Sequence, residues 1–130
     1  MKKLLLIAFL ITGCFSYAQE ELTQNTIQAV LAGNQSQVIQ LAEAFPEEKY
    51  DWRPAEGISS VGEALLHVAG GNYFLASKLG FAPPEDVDVM NLSKVTGKEN
   101  IIVALKKSNE FVLENITKVG DGSLNEEVDF

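Results

Sequence analysis

The sequence has one histidine, one cysteine and few basic residues, and each shortage excludes a class of function. The single cysteine, Cys14, lies near the N-terminus, so the rest of the chain has neither a disulfide nor a cysteine-based zinc cluster. The 18 acidic and 10 basic residues give a formal charge of −8. Because cationic side chains supply the attraction to phosphate backbones, we expect no nucleic-acid partner. The sequence also lacks a Ser-His-Asp order and a phosphate-binding glycine loop.

Residues 1–18 have the organisation of a signal peptide. Two lysines precede an apolar segment, 4–11, which is too short to span a bilayer as a helix. A Ser-Tyr-Ala motif before Gln19 suits a signal peptidase, whereas an Ile-Thr-Gly-Cys motif resembles a lipobox that would leave Cys14 acylated. We therefore expect an exported protein, either periplasmic or secreted, or anchored to a membrane as a lipoprotein through Cys14.

Residues 19–130 are predicted to form one all-α domain without internal repeats. Apolar residues recur at alternating spacings of four and three in three segments, which is typical of one face of a helix. Narrow stripes on three helices of about 20 residues favour an up-down helical bundle. The stripes are Ile27, Leu31, Asn34, Val38, Leu41 and Phe45; Val61, Leu65, Val68, Asn72, Leu75 and Leu79; and Ile102, Leu105, Asn109, Val112, Ile116 and Val119.

One asparagine interrupts each stripe, and two interpretations are open. The three amides of Asn34, Asn72 and Asn109 could face one interior, as a hydrogen-bonded network or the lining of a pocket. Alternatively, they occupy boundary positions on the helices.

Signals for helix ends support the three segments. Ser60 with Glu63 forms a Ser-x-x-Glu capping box at the start of the second helix, and Thr96 with Glu99 repeats it for the third. Gly80 is placed to end the second helix. The connection that follows, 81–95, is long for a compact bundle, where about 2–8 residues is usual.

A set of motifs in fixed order resembles the DinB-like superfamily, which includes the bacillithiol transferases. The similarity covers nearly all of residues 20–130. The motifs are Tyr50-Asp51-Trp52-Arg53-Pro54, Ile58-Ser59-Ser60-Val61-Gly62-Glu63, Leu65-Leu66-His67-Val68-Ala69 with Asn72-Tyr73-Phe74, Lys78-Leu79-Gly80 before a Pro-Pro loop, and Ser93-Lys94.

This resemblance implies a four-helix bundle, and many members of the superfamily hold a divalent metal through three histidines. The match places one of these ligands on His67 of the second helix, for nickel, zinc or iron. The other two belong to a His-x-x-x-His pair on a fourth helix, to which nothing in this sequence corresponds. We therefore expect three long helices of an expected four, with the domain C-terminally incomplete; the alternative is a complete three-helix bundle.

Other interpretations of these residues involve no metal. By periodicity, His67 lies roughly 120° from the centre of its stripe, which also fits a structural or surface histidine. Glu63 could orient the imidazole one turn away or serve the capping box alone. Arg53 could grip a substrate carboxylate or hold a structural corner made with Trp52 and Pro54.

Two hypotheses of function follow. The first is an exported DinB-like bundle that binds a divalent metal and performs metal-dependent transfer or hydrolysis, with the metal site incomplete in this chain. The second is a non-enzymatic binding or structural bundle of the cell envelope with an apolar groove. A small-molecule ligand or a homodimer would fit this second hypothesis.

Overall fold

The computed structural model describes residues 24–120 and residue 127, and these form helices and loops with no strand. The predicted all-α class is confirmed, with three long helices packed together. No helix in this part of the chain has the length and apolar character needed to cross a membrane. The predicted signal peptide, 1–18, and its Cys14 lie outside the described residues.

Five helical elements follow one another along the described chain. Helix α1 covers residues 24–44, α2 covers Val61–Lys78 and α3 covers Lys98–Ile116. Two short 3-10 helices lie in the connections, Glu47–Lys49 before α2 and Val89–Lys94 before α3. The second of these is called the loop helix below.

Helix α3 runs parallel to α2. Near their N-terminal ends, Gly62 of α2 faces the side chain of Ile101. Near their C-terminal ends, the ring of Tyr73 lies 5.3 Å from that of Phe111. The predicted up-down alternation is therefore wrong for this pair of helices. A parallel neighbour requires the chain to return over the length of α2, about 27 Å at 1.5 Å per residue. This return accounts for the long connection, which the loop helix fills.

Helix α1 runs antiparallel to α3. The ammonium of Lys98, at the start of α3, donates hydrogen bonds of 2.7 Å to the carbonyls of Glu43 and Phe45 at the end of α1. At the other end, the amide of Gln28 donates a bond of 3.2 Å to the carbonyl of Leu113. The lysine thus satisfies carbonyls that the end of α1 leaves without a helical partner.

The core lies among the three long helices and buries small residues as well as large ones. The predicted stripe on α3 is correct, since Ile102 and Leu105 are buried. On α1 and α2 the predicted faces are only partly correct. Leu65 is buried, and Val38 and Phe45 pack against the core. Leu41 and Leu75, however, are more than half exposed, whereas Ala42 and Ala69 are fully buried. Alanines at the contact bring the helices close together, and this rotates the larger apolar residues away from the centre. The core cluster comprises Ala42, Tyr50, Leu65, Leu66, Ala69, Ile101, Ile102 and Leu105.

The predicted start of α2 is confirmed in detail, and that of α3 is not. The Ser60 hydroxyl accepts a bond of 3.2 Å from the backbone of Glu63, whose carboxylate accepts one of 3.0 Å from the backbone of Ser60. At α3, Gly97 occupies the cap position and no side chain caps the helix, so the Thr96 capping box is wrong. Gly80 ends α2 as predicted, with a φ of 90° that favours glycine.

Candidate functional site

A cleft with a volume of about 540 Å³ lies between α2 and the loop helix. Its α2 wall carries His67 and Phe74, and its opposite wall carries Leu92 and Ser93. The lining thus combines apolar surface with an imidazole and hydroxyl groups. The complete lining is Ser59, Glu63, Leu66, His67, Gly70, Gly71, Phe74, Val89, Leu92 and Ser93.

Two adjacent glycines keep the centre of the cleft open. A Cβ added at Gly70 or at Gly71 would meet no heavy atom within 4 Å beyond the local helix. Their surroundings therefore differ from those of Gly62, where an added Cβ would lie 3.0 Å from the side chain of Ile101. Close helix packing does not explain Gly70 and Gly71, because no other described element comes within 4 Å of an added Cβ at either position. The space they leave belongs to the cleft.

His67 stands exposed on the wall of this cleft. Its ring makes no hydrogen bond within the described residues. The ring of Phe74 lies two turns further along the same side of α2, and the ammonium of Lys78 sits 5.3 Å from its centroid. A ligand in the cleft would therefore meet an aromatic surface beside a cation and a free imidazole.

Glu63 serves the start of α2 and does not orient the imidazole. Besides closing the capping box, its carboxylate forms a bidentate ion pair with Arg53, one bond of which measures 2.6 Å. The hydrogen bonds from the Arg53 guanidinium, and then from the Ser60 backbone, hold the pKa of Glu63 below its ordinary value. The carboxylate is thus kept ionised, with its oxygens engaged by Arg53 and by the backbone of Ser60.

Arg53 holds the corner that precedes α2. Its guanidinium donates a bond of 2.8 Å to the carbonyl of Ile58 in addition to its two bonds with Glu63. These contacts favour the structural interpretation over a substrate-binding one, because the charge is already paired. Trp52 is 53% exposed, so about half of its surface lies outside any packed contact.

Two of the three asparagines meet in the core. The amide of Asn72 donates bonds of 2.8 Å to the side-chain oxygen of Asn109 and 3.0 Å to the hydroxyl of Ser108. Asn34 is exposed and takes no part in this network. The interior interpretation therefore holds for the α2–α3 pair alone.

The donors gathered around His67 do not fit a metal centre of the expected kind. Such a site needs three protein ligands, and within the described residues no group of three or more His, Cys, Asp or Glu side chains could hold an ion. The carboxylate of Glu63, one helical turn before His67, is paired with Arg53. Ligation by His67 remains a prediction, and it requires ligands from outside the described residues.

Leu92 and Ser93 line the cleft, and the sequence did not predict this position for either residue. Both residues belong to the loop helix, which is six residues long. A helix this short gives no repeating pattern of apolar residues, so the sequence did not indicate it. The signal that could have indicated the loop helix is Asp88, whose carboxylate accepts a bond of 3.2 Å from the backbone of Asn91.

Comparisons with known proteins add no assignment to this geometry. No family profile, no curated protein and no solved structure matches the chain.

Proposed function

We propose that this chain is an exported, DinB-like helical bundle that binds a small and largely apolar molecule in the cleft between α2 and the loop helix. The DinB-like and export parts of the proposal are supported by the ordered motifs and the basic-apolar start of the sequence. The observation that carries the binding role is the open cleft itself, with His67 and Phe74 exposed on one wall.

The chemistry of the lining indicates what kind of molecule fits. Phe74, Leu66 and Val89 offer apolar contact, while Ser59 and His67 offer polar contact at the rim. Binding sites for small molecules usually combine a mostly apolar lining with a few polar groups that fix orientation. A neutral or weakly acidic aromatic molecule with one hydrogen-bonding group suits this lining.

Nuclear magnetic resonance of the single histidine tests the proposal. Because His67 is the only histidine and Trp52 the only tryptophan, each ring gives one assignable set of signals. A mixture of small neutral and weakly acidic aromatic compounds should include members that shift the His67 signals in a saturable manner while leaving those of Trp52 unchanged. If no compound moves His67 selectively, the binding role is wrong.

A pair of glycine substitutions separates the cleft from other surfaces. Gly71→Leu should fill the open space and abolish the His67 response. Gly33→Leu places the same side chain on α1, where an added Cβ also meets no atom within 4 Å, and should leave the response intact. Equal responses in the two variants would show that the compounds bind elsewhere.

A second candidate is the metal-dependent transfer or hydrolysis that the DinB-like resemblance implies. The observation that favours it is the exposed imidazole of His67, which makes no hydrogen bond within the described residues. Nickel, zinc or iron would be held by His67 together with ligands outside this range, and the metal would supply Lewis-acid chemistry when bound.

Metal analysis tests this second candidate. The purified protein and its His67→Gln variant are each equilibrated with nickel or zinc and then separated from unbound ions. The wild type should retain metal in a fixed ratio to protein, and the variant should lose it. Equal metal content in both would exclude His67 as a ligand.

A further inference from the structure

Among residues 24–120, helices α1 and α2 carry large apolar side chains that remain exposed. The side chains lie in one stripe on each helix, and together they define the α1–α2 face. Its members are Ile27, Val30 and Leu41 of α1 and Val68, Leu75 and Leu79 of α2, which are between 39% and 58% exposed.

The two stripes lie on one side of the helix pair. Each is displaced by about a quarter turn from the buried face of its own helix, which is centred near Ala42 in α1 and Ala69 in α2. The displacement has the same rotational sense along the two chains. Because α1 and α2 run in opposite directions, that shared sense turns both stripes toward the same side. Leu66 and Gly70, which line the cleft with the loop helix, lie on the other flank of α2.

This face carries no charge in a strongly acidic protein. Residues 23–42 contain no Asp, Glu, Lys or Arg, although the formal charge of the chain is −8. The α2 stripe is likewise uncharged, and Ala64 and Asn72 fill the positions between its apolar members. An uncharged surface offers no attraction to a charged partner, and it removes the repulsion that two acidic molecules would otherwise meet at close range.

We propose that the α1–α2 face binds a second copy of this chain across a two-fold axis. A symmetric interface places the same patch on both partners, so a face that is free of charge is complementary to itself. Asn34 lies within the stripe of α1, between Val30 and Leu41, and its amide makes no hydrogen bond within the described residues. An amide both donates and accepts, so Asn34 can pair with its own symmetry mate.

The dimensions of the face set the expected strength of the dimer. Two helices about 27 Å long and about 20 Å wide as a pair would bury ~1,000 Å² in total, the lower end for specific interfaces. We therefore expect a dimer that dissociates on dilution through the micromolar range. This inference does not depend on the cleft, which lies on the other flank of α2.

Sedimentation velocity over a series of protein concentrations tests the dimer. The wild type should shift from monomer to dimer with increasing concentration, and Leu41→Glu with Leu75→Glu should remain monomeric. Val103→Glu on α3 is the matched control, because Val103 is 53% exposed but lies away from the face. It should dimerise like the wild type. A wild type that is monomeric throughout, or a dimer that survives the double substitution, overturns the proposal.

Two single amide-to-carboxylate substitutions test whether the two-fold axis passes near Asn34. Asn34→Asp replaces an amide by a carboxylate of the same shape. In the dimer, this carboxylate would face the same carboxylate of the partner across the two-fold axis. Gln40→Glu adds the same charge to the same helix outside the face. We expect at least a tenfold weaker dimer for Asn34→Asp and no change for Gln40→Glu, with circular dichroism confirming that both variants are folded. Equal dimerisation of the two variants overturns the placement of Asn34.

Discussion

Asn72 of α2 and Asn109 of α3 are joined by a hydrogen bond of 2.8 Å between their side-chain amides. Asn109 is 4% exposed, so this polar contact is made inside the helix interface, next to the buried Ser108 hydroxyl. The Nδ2 of Asn109 has no partner within the described residues. The contact therefore couples the two parallel helices at one register and leaves one buried donor unpaired.

A double-mutant cycle on this pair should reveal the coupling. Asn72→Ala leaves the Asn109 oxygen without a donor, and we expect a loss of about 1–2 kcal/mol in the free energy of unfolding. Replacing both residues by leucine removes both polar groups and should cost less than the sum of the two single leucine substitutions. Urea denaturation of the wild type, the two single leucine variants and the double leucine variant measures this difference, and strictly additive changes would contradict the coupling.

Acid should weaken the start of α2 through Glu63. Its pKa is lowered in the folded protein, first by the hydrogen bonds from Arg53, so its contribution is fully present above the ordinary value of 4.5 and is lost as the pH falls through the lowered value. Glu63→Gln should therefore reduce the midpoint of thermal unfolding at pH 7, and the difference from the wild type should shrink in acid.

Glu56→Gln is the control for this pH effect. Glu56 lies in the same connection and is exposed, but it makes no ion pair within the described residues. It should follow the wild type across the pH range. A Glu63→Gln variant whose deficit stays constant down to pH ~3 would contradict the role assigned to the ion pair.

Substitution by alanine at two glycines of α2 should change the free energy of unfolding in opposite directions. Gly70→Ala places a methyl in open space and should raise stability by about 0.5–1 kcal/mol, since alanine has the higher helix propensity. Gly62→Ala places it 3.0 Å from the Ile101 side chain and 3.4 Å from the Tyr50 carbonyl, so we expect a loss of about 1 kcal/mol or more. Chemical denaturation compares the two, and equal effects would contradict the difference in packing.

A matched pair of tyrosines tests the corner between α1 and α2. The Tyr50 hydroxyl donates a buried hydrogen bond of 2.7 Å to the carbonyl of Ala42, so Tyr50→Phe should cost about 1–2 kcal/mol. The hydroxyl of Tyr73 has no hydrogen-bond partner within the described residues, and Tyr73→Phe should be nearly neutral. Urea unfolding distinguishes the two, and a neutral Tyr50→Phe would contradict the anchoring contact.

Prediction from sequence succeeded where local rules decide the structure. The Ser60–Glu63 capping box forms as predicted because both of its hydrogen bonds are made within four residues. Gly80 ends α2 because only a residue without a side chain adopts its φ of 90° at low cost. The stripe on α3 is correct because large apolar residues face the core there.

Prediction failed where partners distant in sequence decide it. The predicted faces of α1 and α2 are only partly correct, because Ala42 and Ala69 occupy the buried centre while Leu41 and Leu75 lie outside it. The cleft could not be predicted, because it forms where the loop helix returns along α2 and brings Ser93 near His67. Periodicity reports which residues are apolar, but it does not report which neighbour approaches.

The sequence alone determined that this is an all-α protein, where α2 begins and ends, and that its one histidine, His67, lies on α2. These properties depend on backbone hydrogen bonding, side-chain periodicity and composition, which are local. Only the tertiary structure decided that α2 and α3 are parallel, that Glu63 is paired with Arg53, and that an uncharged apolar face remains between α1 and α2. These features depend on close packing between distant segments, where the size of a single side chain sets the rotation of a whole helix.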